Sequence, residues 1–289
     1  MILYDVHLHS RFSTDSREEP ENIAETAISK GLRGICFTDH MDLYFPEECS
    51  KKSGGDFTFD LDGYFEELDE LKAKYRNRLD IRIGMEIGLR NETELKSKVV
   101  SGYEEMLNKY PFDFIIGSTH CLENIDPYWE EYWYGRTAEE GLDRYFDAIA
   151  ENVTYYDSFD SLGHLDYLVR YVSDGAALRS TGKNGHKWVY DPLDHIDRTD
   201  IILKKIIDKG KALEVNSAGL KYGLGFAHPK KEILERYREL GGELITIGSD
   251  SHKSEHLAYE FSNVCEMLKS LGFKYYFVYK NRKPEDFRL

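Results

Sequence analysis

The sequence has no apolar run long enough to cross a bilayer. A spanning helix needs roughly 18 to 20 consecutive apolar residues, and charged side chains interrupt every apolar stretch of this chain well before that length. The first residues also lack the basic and apolar segments of a secretory signal, because Asp5 and His7 break the first apolar run. We therefore expect a cytoplasmic protein that neither spans a membrane nor carries an export signal.

Cysteine and positive charge are both scarce. The four cysteines are widely spaced and form no C-x-x-C pair, which predicts reduced thiols in a cytoplasmic protein. Lysine and arginine number 38 against 53 aspartates and glutamates, so the net charge is -15. Nucleic acids and anionic membranes attract basic surfaces, and we expect neither as a partner. A hydrophobic content of 41% still predicts a globular fold.

The chain instead repeats one unit, in which a short apolar run, a polar loop and an amphipathic helix follow one another. Continuous apolar runs are typical of strands buried on both faces of a parallel sheet. About seven such repeats favour a closed (β/α) barrel, here a single domain over residues 1–289. The runs are Ile2–Val6, Gly34–Phe37, Ile81–Ile87, Phe112–Ile116, Phe159–Leu162, Ala212–Val215, Leu244–Ile247 and, as a less clear case, Tyr275–Val278.

The connecting helices are marked by apolar side chains at spacings of three and four. The segment from Leu61 to Tyr75 carries such a stripe, and Pro20 suits the first turn of an earlier helix. Three longer loops, near residues 41–59, 121–136 and 170–196, are predicted to lie at the mouth of the barrel. Long loops in a compact domain are often functional.

Histidine and acidic residues follow the predicted strands. His7 and His9 follow the first, Thr38-Asp39-His40 the second, and Glu86 lies inside the third; His120, His164, Asp250 and His252 follow later strands. The carboxyl ends of parallel barrel strands share one rim, where barrel enzymes place their active sites. These side chains are therefore predicted to converge.

Taken singly, each of these residues has a plainer interpretation. A lone histidine at a strand end is usually satisfied by a backbone hydrogen bond, and His-x-His is a weak motif, although residues two apart on a strand face the same way. Glu86 is more informative, because a buried carboxylate needs a cation or several donors. The joint pattern decides the matter, since six of the ten histidines stand at strand ends or shortly after. It predicts a metal site.

The types of ligand limit the chemistry. Imidazole and carboxylate ligands without thiolate suit Zn, Mn or Fe in a catalytic site. The candidates exceed the needs of one ion and suit two or three: His7, His9, Asp15, His40, Glu86, His120, His164, Asp250 and His252. Clustered divalent ions recur in phosphoester hydrolysis. No arrangement of a Ser or Cys nucleophile with its base was found in the sequence.

These motifs, in this order and along nearly the whole chain, resemble the PHP (polymerase and histidinol phosphatase) family. The resemblance implies a distorted (β/α)7 barrel with three metal ions at the carboxyl rim. One ion would be held by His7, His9, Glu86 and Asp250; a second by Glu86, His120 and His164; and a third by Asp15, His40 and His252. Asp15 also has a plainer interpretation as a turn residue in the polar loop "STDS".

Within that family, "FSTDS", "GHLDYLVRY", "EVNSAGLKYG" and "SDSHKSEH" resemble histidinol-phosphate phosphatases. The resemblance implies hydrolysis of L-histidinol phosphate in histidine biosynthesis. It also implies two basic contacts to phosphate, Arg170 and Lys221. Arginine is usual at the second position, and lysine lacks its bidentate fork. A surface ion pair is the plainer interpretation of Arg170.

The expected mechanism assigns Glu86 to bridge two ions and either Asp250 or His252 to protonate the leaving alkoxide. Asp39 and Asp166 are expected to orient ligands from behind. Acidic residues of the 121–136 segment are expected to meet the substrate amine. His186, His195 and His228 have no assigned role and are expected at the surface or at helix ends; His256 could approach the substrate.

Other functions stay open from the sequence. The protein could hydrolyse another small phosphomonoester, or act as a phosphodiesterase or exonuclease on nucleic acid, as some relatives do. A metal-binding regulator without catalysis is a third alternative. The acidic balance counts against the nuclease, and the complete set of candidate ligands counts against the regulator.

Overall fold

Seven parallel strands form the centre of the protein in a computed structural model, which describes residues 1–180 and 188–289. Neighbouring strands along this path pair in parallel in the order β1-β2-β4-β5-β6-β7-β8. Their bounds are β1 Tyr4–Asp5, β2 Gly34–Phe37, β4 Asp80–Gly88, β5 Phe114–Ser118, β6 Ser161–Leu162, β7 Ala212–Asn216 and β8 Ile245–Gly248. A two-residue strand, β3 (His40–Met41), pairs with β4 beyond the end of β2, so that His40 lies opposite Glu86.

The sheet is nearly closed into a barrel, because β1 and β8 meet without a regular ladder. The Val6 amide donates to the Ile247 carbonyl at 3.2 Å, and the chain beyond the two strands continues the contact through a bridge between Leu8 and Ser251. The distorted barrel of parallel strands predicted from the sequence is therefore confirmed.

Helices surround the strands and bury their apolar stripes on them. The apolar stripe predicted between Leu61 and Tyr75 is buried, and its residues are Leu61, Tyr64, Phe65, Leu68, Leu71 and Tyr75. Helix α5 (Ala138–Tyr155) begins with a capping box in which the Thr137 hydroxyl accepts from the Glu140 amide and the Glu140 carboxylate accepts from the Thr137 amide. The helices are α1 Pro20–Ser29, α2 Glu47–Ser53, α3 Leu61–Tyr75, α4 Lys96–Lys109, α5 Ala138–Tyr155, α6 Asp174–Arg179, α7 Ile196–Asp208, α8 Ala218–Lys221, α9 Lys231–Glu239 and α10 Phe261–Ser270.

The last apolar run does not join the barrel. It forms β9 (Tyr275–Lys280), which pairs antiparallel with β10 (Lys283–Arg288). The hairpin packs on residues at the amino ends of the barrel strands: Arg82 donates to the Tyr279 carbonyl at 2.7 Å, and the Tyr4 and Phe287 rings are 4.7 Å apart. It thus covers the end of the barrel opposite to the carboxyl rim.

Two further expectations can be compared with the fold. In the described ranges, no helix combines the length and the apolar composition needed to cross a bilayer. The four cysteines are buried free thiols, as predicted: Cys36, Cys49, Cys121 and Cys265.

Candidate metal centre

The strand-end residues converge at the carboxyl rim as predicted. Each of these residues lies within or shortly after the carboxyl end of its strand, so the side chains from β1, β4, β5, β6 and β8 project over the same end of the barrel. Four overlapping groups of ligand-type atoms have all members within 4.8 Å of one another. The groups are His9, His40 and His252; His7, His9 and Glu86; His40, Asp42 and His120; and Glu86, His120 and His164.

Glu86 lies at the centre of this cluster. Its side chain is fully buried on β4, and Ser118 donates to its Oε1 at 2.6 Å. Five imidazole nitrogens lie within 3.5 Å of its carboxylate oxygens, and they belong to His7, His9, His40, His120 and His164. Although burial alone would raise the pKa of Glu86, the neighbouring imidazoles hold it well below its usual value. The carboxylate is therefore ionised, and more than one cation could share it.

The donor atoms fit divalent cations. Glu86 Oε2 and His40 Nδ1 are buried 3.0 Å apart, and neither has a hydrogen-bond partner among the described residues. The Nε2 atoms of His7 and His9 face each other at 3.1 Å. Such inward-facing lone pairs, all from nitrogen and oxygen, are satisfied by a cation of the Zn, Mn or Fe type.

Asp15 reaches the outer side of the cluster from its polar loop. Its Oδ2 lies 3.2 Å from His252 Nε2 and 3.8 Å from His40 Nε2. Burial acts to raise the pKa of Asp15, but the two imidazoles lower it overall. The centroid of the His9 ring lies 4.2 Å from those of His40 and His252, and the latter two lie 5.8 Å apart. The three residues grouped by the resemblance are thus neighbours.

Asp39 supports the cluster from behind through serine side chains. Its Oδ1 accepts from the Ser13 hydroxyl at 2.8 Å, and that hydroxyl also lies 3.0 Å from His9 Nδ1. Asp166 does not act in this way, since its carboxylate binds His228 Nδ1 at 2.7 Å and the Lys230 amide at 2.9 Å. Asp39 is thus linked to His9 through Ser13, and its role in orienting a ligand stays a prediction. The expectation for Asp166 is wrong.

Sequence reasoning missed two carboxylates at the cluster. Asp42 Oδ1 lies 2.7 Å from His120 Nδ1, and Glu214 Oε1 lies 2.5 Å from His7 Nδ1. Asp42 comes two residues after His40, the alternation that places side chains on one face of a strand. Glu214 stands inside an apolar strand, the same signal that singled out Glu86.

The remaining histidines lie in varied places. His195 stands at the N-cap position of α7, which is the predicted helix-end position, and its side chain makes no capping hydrogen bond. His228 is completely buried beside Asp166, so the expected surface or helix-end position is wrong. His256 lies in a short 3₁₀ helix, with Nε2 3.6 Å from Glu255. His186 falls outside the described residues.

A cavity of about 450 Å³ opens over the cluster. The three long loops predicted at the barrel mouth all contribute to its wall. Its lining includes Asp15, His40, His120, His164, Asp250 and His252 from the cluster and the aromatic residues Phe45, Phe57, Tyr128, Trp129, Tyr167, Tyr171 and Tyr222. The cavity therefore has ligand-type side chains at its floor and aromatic side chains in its wall.

Arg170 and Lys221 occupy different positions relative to this cavity. The Arg170 guanidinium lines it and is stacked between two rings, 3.7 Å from the centroid of Tyr222 and 4.6 Å from that of Tyr171. The Lys221 side chain binds the backbone: its ammonium donates to the Asp250 carbonyl at 3.1 Å.

Asp126 introduces a negative charge into the aromatic wall. It lines the cavity, and its Oδ1 accepts from the Tyr128 amide at 2.8 Å. In the described part of the chain it pairs with no lysine or arginine. Burial raises the pKa of Asp126 to about 6. The side chain is therefore an acidic group without a cationic partner of its own.

A protein-family model described as the PHP domain matches residues 5–218 of the chain. Among curated proteins, a probable histidinol-phosphatase of Clostridium acetobutylicum is 32% identical over 280 residues, which cover 94% of this chain and 95% of the relative. The histidinol-phosphatase of Lactococcus lactis is 32% identical over 275 residues, with coverages of 93% and 91%.

Solved structures agree with these sequence matches. The crystal structure of the histidinol phosphate phosphatase from Lactococcus lactis, complexed with Zn, L-histidinol and phosphate, is similar with a TM-score of 0.82 and 31% identity over 98% of each chain. A structure from Listeria monocytogenes shares the fold, with a TM-score of 0.73, 22% identity and coverages of 91% and 100%.

Proposed function

This chain belongs to the PHP domain family, and on that premise we propose that it is a metal-dependent phosphomonoesterase that hydrolyses L-histidinol phosphate to L-histidinol and phosphate. The observation that carries the proposal is the composition of the cavity. A histidine–carboxylate cluster forms its floor, while Arg170 and Asp126 offer opposite charges in its wall. Such a cavity suits a substrate with a phosphate at one end and a cation at the other. Relatives that match more than nine-tenths of the chain are named histidinol-phosphatases.

The ions that we propose would be held in three positions. His7, His9, Glu86 and Asp250 would form the first; Glu86, His120 and His164 the second; and Asp15, His40 and His252 the third. Zinc is the best-supported metal, because a relative of similar structure was crystallised with it, and Mn or Fe would suit the same ligands. Bound divalent ions would supply Lewis-acid charge and a water of lowered pKa, which is the chemistry that phosphoester hydrolysis requires.

Arg170 is the proposed clamp for the phosphate. Its guanidinium lies over the rings of Tyr171 and Tyr222, lines the cavity, and forms no ion pair with Asp or Glu in residues 1–180 and 188–289. A planar guanidinium can donate two parallel hydrogen bonds to phosphate oxygens. Lys221 would add a second positive charge from behind Asp250, without the bidentate fork that arginine would give.

The leaving alkoxide needs a proton, and two residues can deliver it. Asp250 and His252 both line the cavity, and His252 Nδ1 lies 3.6 Å from Asp250 Oδ1. His252 Nε2 is held by Asp15 at 3.2 Å, which fixes the orientation of the ring. One of the two would act as the general acid, while Glu86 keeps the cluster together.

Asp126 is the proposed contact for the amine or the imidazole of the substrate. A carboxylate in an aromatic wall attracts a cation, and the ring faces of Tyr128 and Trp129 add to that attraction. The aromatic wall would also receive the flat imidazole ring. This is the acidic contact that was expected from the 121–136 segment.

A phosphate-release screen of the Zn- or Mn-loaded protein tests the proposal. We expect L-histidinol phosphate to be hydrolysed with a kcat/KM at least about 100-fold above that of sugar phosphates, nucleotides and p-nitrophenyl phosphate, since the alternatives lack the cation–carboxylate contact. Bis-p-nitrophenyl phosphate serves as the diester control. Preference for the diester would favour the phosphodiesterase alternative, and metal binding without any turnover would favour the regulator.

The compartment proposed for this enzyme is the cytoplasm. All four cysteines are free thiols, and free thiols are the normal state of cysteine in reducing compartments.

A further inference from the structure

Glu214 is a buried carboxylate that none of the proposed catalytic steps uses. It lies in the middle of β7 with no exposed surface. In the described ranges, its only ionisable partner is His7, whose Nδ1 lies 2.5 Å from Glu214 Oε1. Ionised carboxylates are rarely buried without a cation. The position of Glu214 therefore requires an explanation beyond the packing of the strand.

The contact with His7 determines which ring nitrogen faces the cluster. An ionised carboxylate can only accept hydrogen bonds, so a neutral His7 that donates to Glu214 carries its proton on Nδ1. Nε2 is then the ring nitrogen left with a lone pair, and it faces the cluster, 3.1 Å from His9 Nε2 and 3.2 Å from Glu86 Oε2. This is the tautomer that can bind a metal through Nε2.

The second oxygen of Glu214 holds a different strand. Glu214 Oε2 accepts from the His164 amide at 2.7 Å and lies 3.3 Å from Asn216 Nδ2. From this anchored backbone the His164 ring extends into the cluster, where its Nε2 lies 2.9 Å from Glu86 Oε1. One carboxylate thus fixes the ring of His7 and the backbone of His164.

The neighbouring strand is shaped to allow this contact. At Gly248, the last residue of β8, an added Cβ would lie 2.2 Å from His7 Cβ and 2.8 Å from Glu214 Oε1. Side chains larger than glycine are therefore excluded from the space where His7 and Glu214 approach each other.

We propose that Glu214 is a positioning residue for the metal centre, which fixes the metal-binding tautomer of His7 and anchors the segment that carries His164. The inference rests on the metal centre of the proposed function, because His7 and His164 are its proposed ligands for two different ions. Glu214 acts through these two residues and does not touch the substrate. Partners of this kind behind a ligand typically change metal affinity by about 10- to 100-fold.

The test compares the zinc affinity of wild-type protein with that of E214Q, measured by competition with a chromogenic chelator. The side-chain amide of glutamine has a single oxygen, so it cannot accept hydrogen bonds from both His7 Nδ1 and the His164 amide. Either it turns its NH₂ toward the His164 amide and loses that bond, or it donates to His7 Nδ1 and moves the histidine proton to Nε2. We expect the affinity of at least one bound ion to fall by about 10- to 100-fold.

Two further variants separate positioning from general stability. E214D keeps the charge but cannot span both contacts, and we expect it to weaken zinc binding as well. D160N is the matched control, because Asp160 is a buried carboxylate that binds the Ile115 amide and Arg282 away from the cluster. D160N should lower the thermal stability of the metal-free protein and leave zinc affinity within about twofold of wild type.

Zinc affinities of E214Q and E214D within twofold of wild type would overturn the inference, whatever their stabilities. If E214Q does not fold, E214D alone decides by the same criterion. The assay uses no substrate. Failure of the proposed function would appear instead as wild-type protein that binds zinc but releases no phosphate from L-histidinol phosphate.

Discussion

The ammonium of Lys221 donates a hydrogen bond to the backbone carbonyl of Asp250, a residue whose φ of 51° lies in the left-handed region. A non-glycine residue in this region carries a conformational cost of about 1 kcal/mol or more. Asp250 nevertheless adopts it at the point where its carboxylate enters the cluster, 3.2 Å from His9 Nε2. Lys221 therefore stabilises the backbone that orients a proposed metal ligand, in addition to the role proposed for its charge in phosphate binding.

Replacement of Lys221 by methionine, which keeps the aliphatic stem, should affect both stability and binding. Loss of a charged hydrogen bond is expected to lower the free energy of unfolding by about 1 to 2 kcal/mol. Loss of the charge is expected to raise the KM for L-histidinol phosphate about fivefold, which corresponds to about 1 kcal/mol. Urea unfolding and steady-state kinetics measure the two effects. An unchanged KM with lowered stability would confine Lys221 to the backbone role.

Replacement of Glu86 by glutamine should release metal and abolish turnover. The amide loses the negative charge that five imidazoles share, and its NH₂ would point at lone pairs that need a cation. Metal analysis after dialysis should show at least two ions fewer per chain than wild type. The buried Asp113→Asn variant, at the opposite end of the barrel, should keep its metal. Full metal content in E86Q would refute the shared-ligand assignment.

The stacking of Tyr222 on Arg170 should contribute to phosphate binding. Tyr222→Ala removes one of the two rings that orient the guanidinium, and a cation–π contact of this kind is worth about 1 kcal/mol. We expect the KM for L-histidinol phosphate to rise about fivefold, with kcat nearly unchanged. Tyr222→Phe keeps the ring and is the matched control. Equal effects of the two variants would indicate that the hydroxyl, and not the ring face, is important.

Replacement of Asp126 by asparagine should stabilise the metal-free protein near neutral pH. The folded-state pKa of Asp126 is raised to about 6, whereas an aspartate in the unfolded chain titrates near about 4. Stability from this group is complete below about pH 4 and is lost as the pH rises through about 6. Chelator-treated wild type and D126N should therefore be equally stable near pH 4, and D126N should gain about 1 to 2 kcal/mol near pH 7.

The same variant should raise the KM for L-histidinol phosphate and leave the KM for p-nitrophenyl phosphate unchanged, because only the first substrate carries a cation. Asp157→Asn, at an exposed ion pair with Lys209, is the control for loss of one negative charge. A stability difference that does not vary with pH would show that the charge of Asp126 is not its cause.

The barrel and most of the candidate metal centre could be predicted from the sequence, because both follow from local patterns. Apolar runs specify strands, and a polar residue just after a run must lie at the carboxyl rim. His7, His120, His164 and Asp250 are predicted in this way, and Glu86 is predicted as a carboxylate inside an apolar run. Their convergence follows from the topology and needs no knowledge of individual contacts.

The contacts between side chains on distant strands could not be predicted in the same way. Glu214 and His7 are separated by 207 positions in sequence, and no local pattern specifies which buried carboxylate meets which imidazole. His228 was expected at the surface or at a helix end, but pairing with Asp166 allows its burial. The hairpin of β9 and β10 resembled one more barrel strand because its first strand has the same apolar composition.

The meeting of β1 and β8 has a consequence for the synthesis of the protein. The Asp250 amide donates to the His7 carbonyl at 2.8 Å, and the His9 amide to the Ser251 carbonyl at 2.8 Å, so this part of the proposed metal centre joins the first and the last strand of the barrel. Because a ribosome adds residues in sequence order, the segment after β8 is made later than every strand of the barrel. Until then the nascent chain carries two ligand-type histidines without these partners. The full set of proposed ligands is present only after Asp250 and His252 have been added.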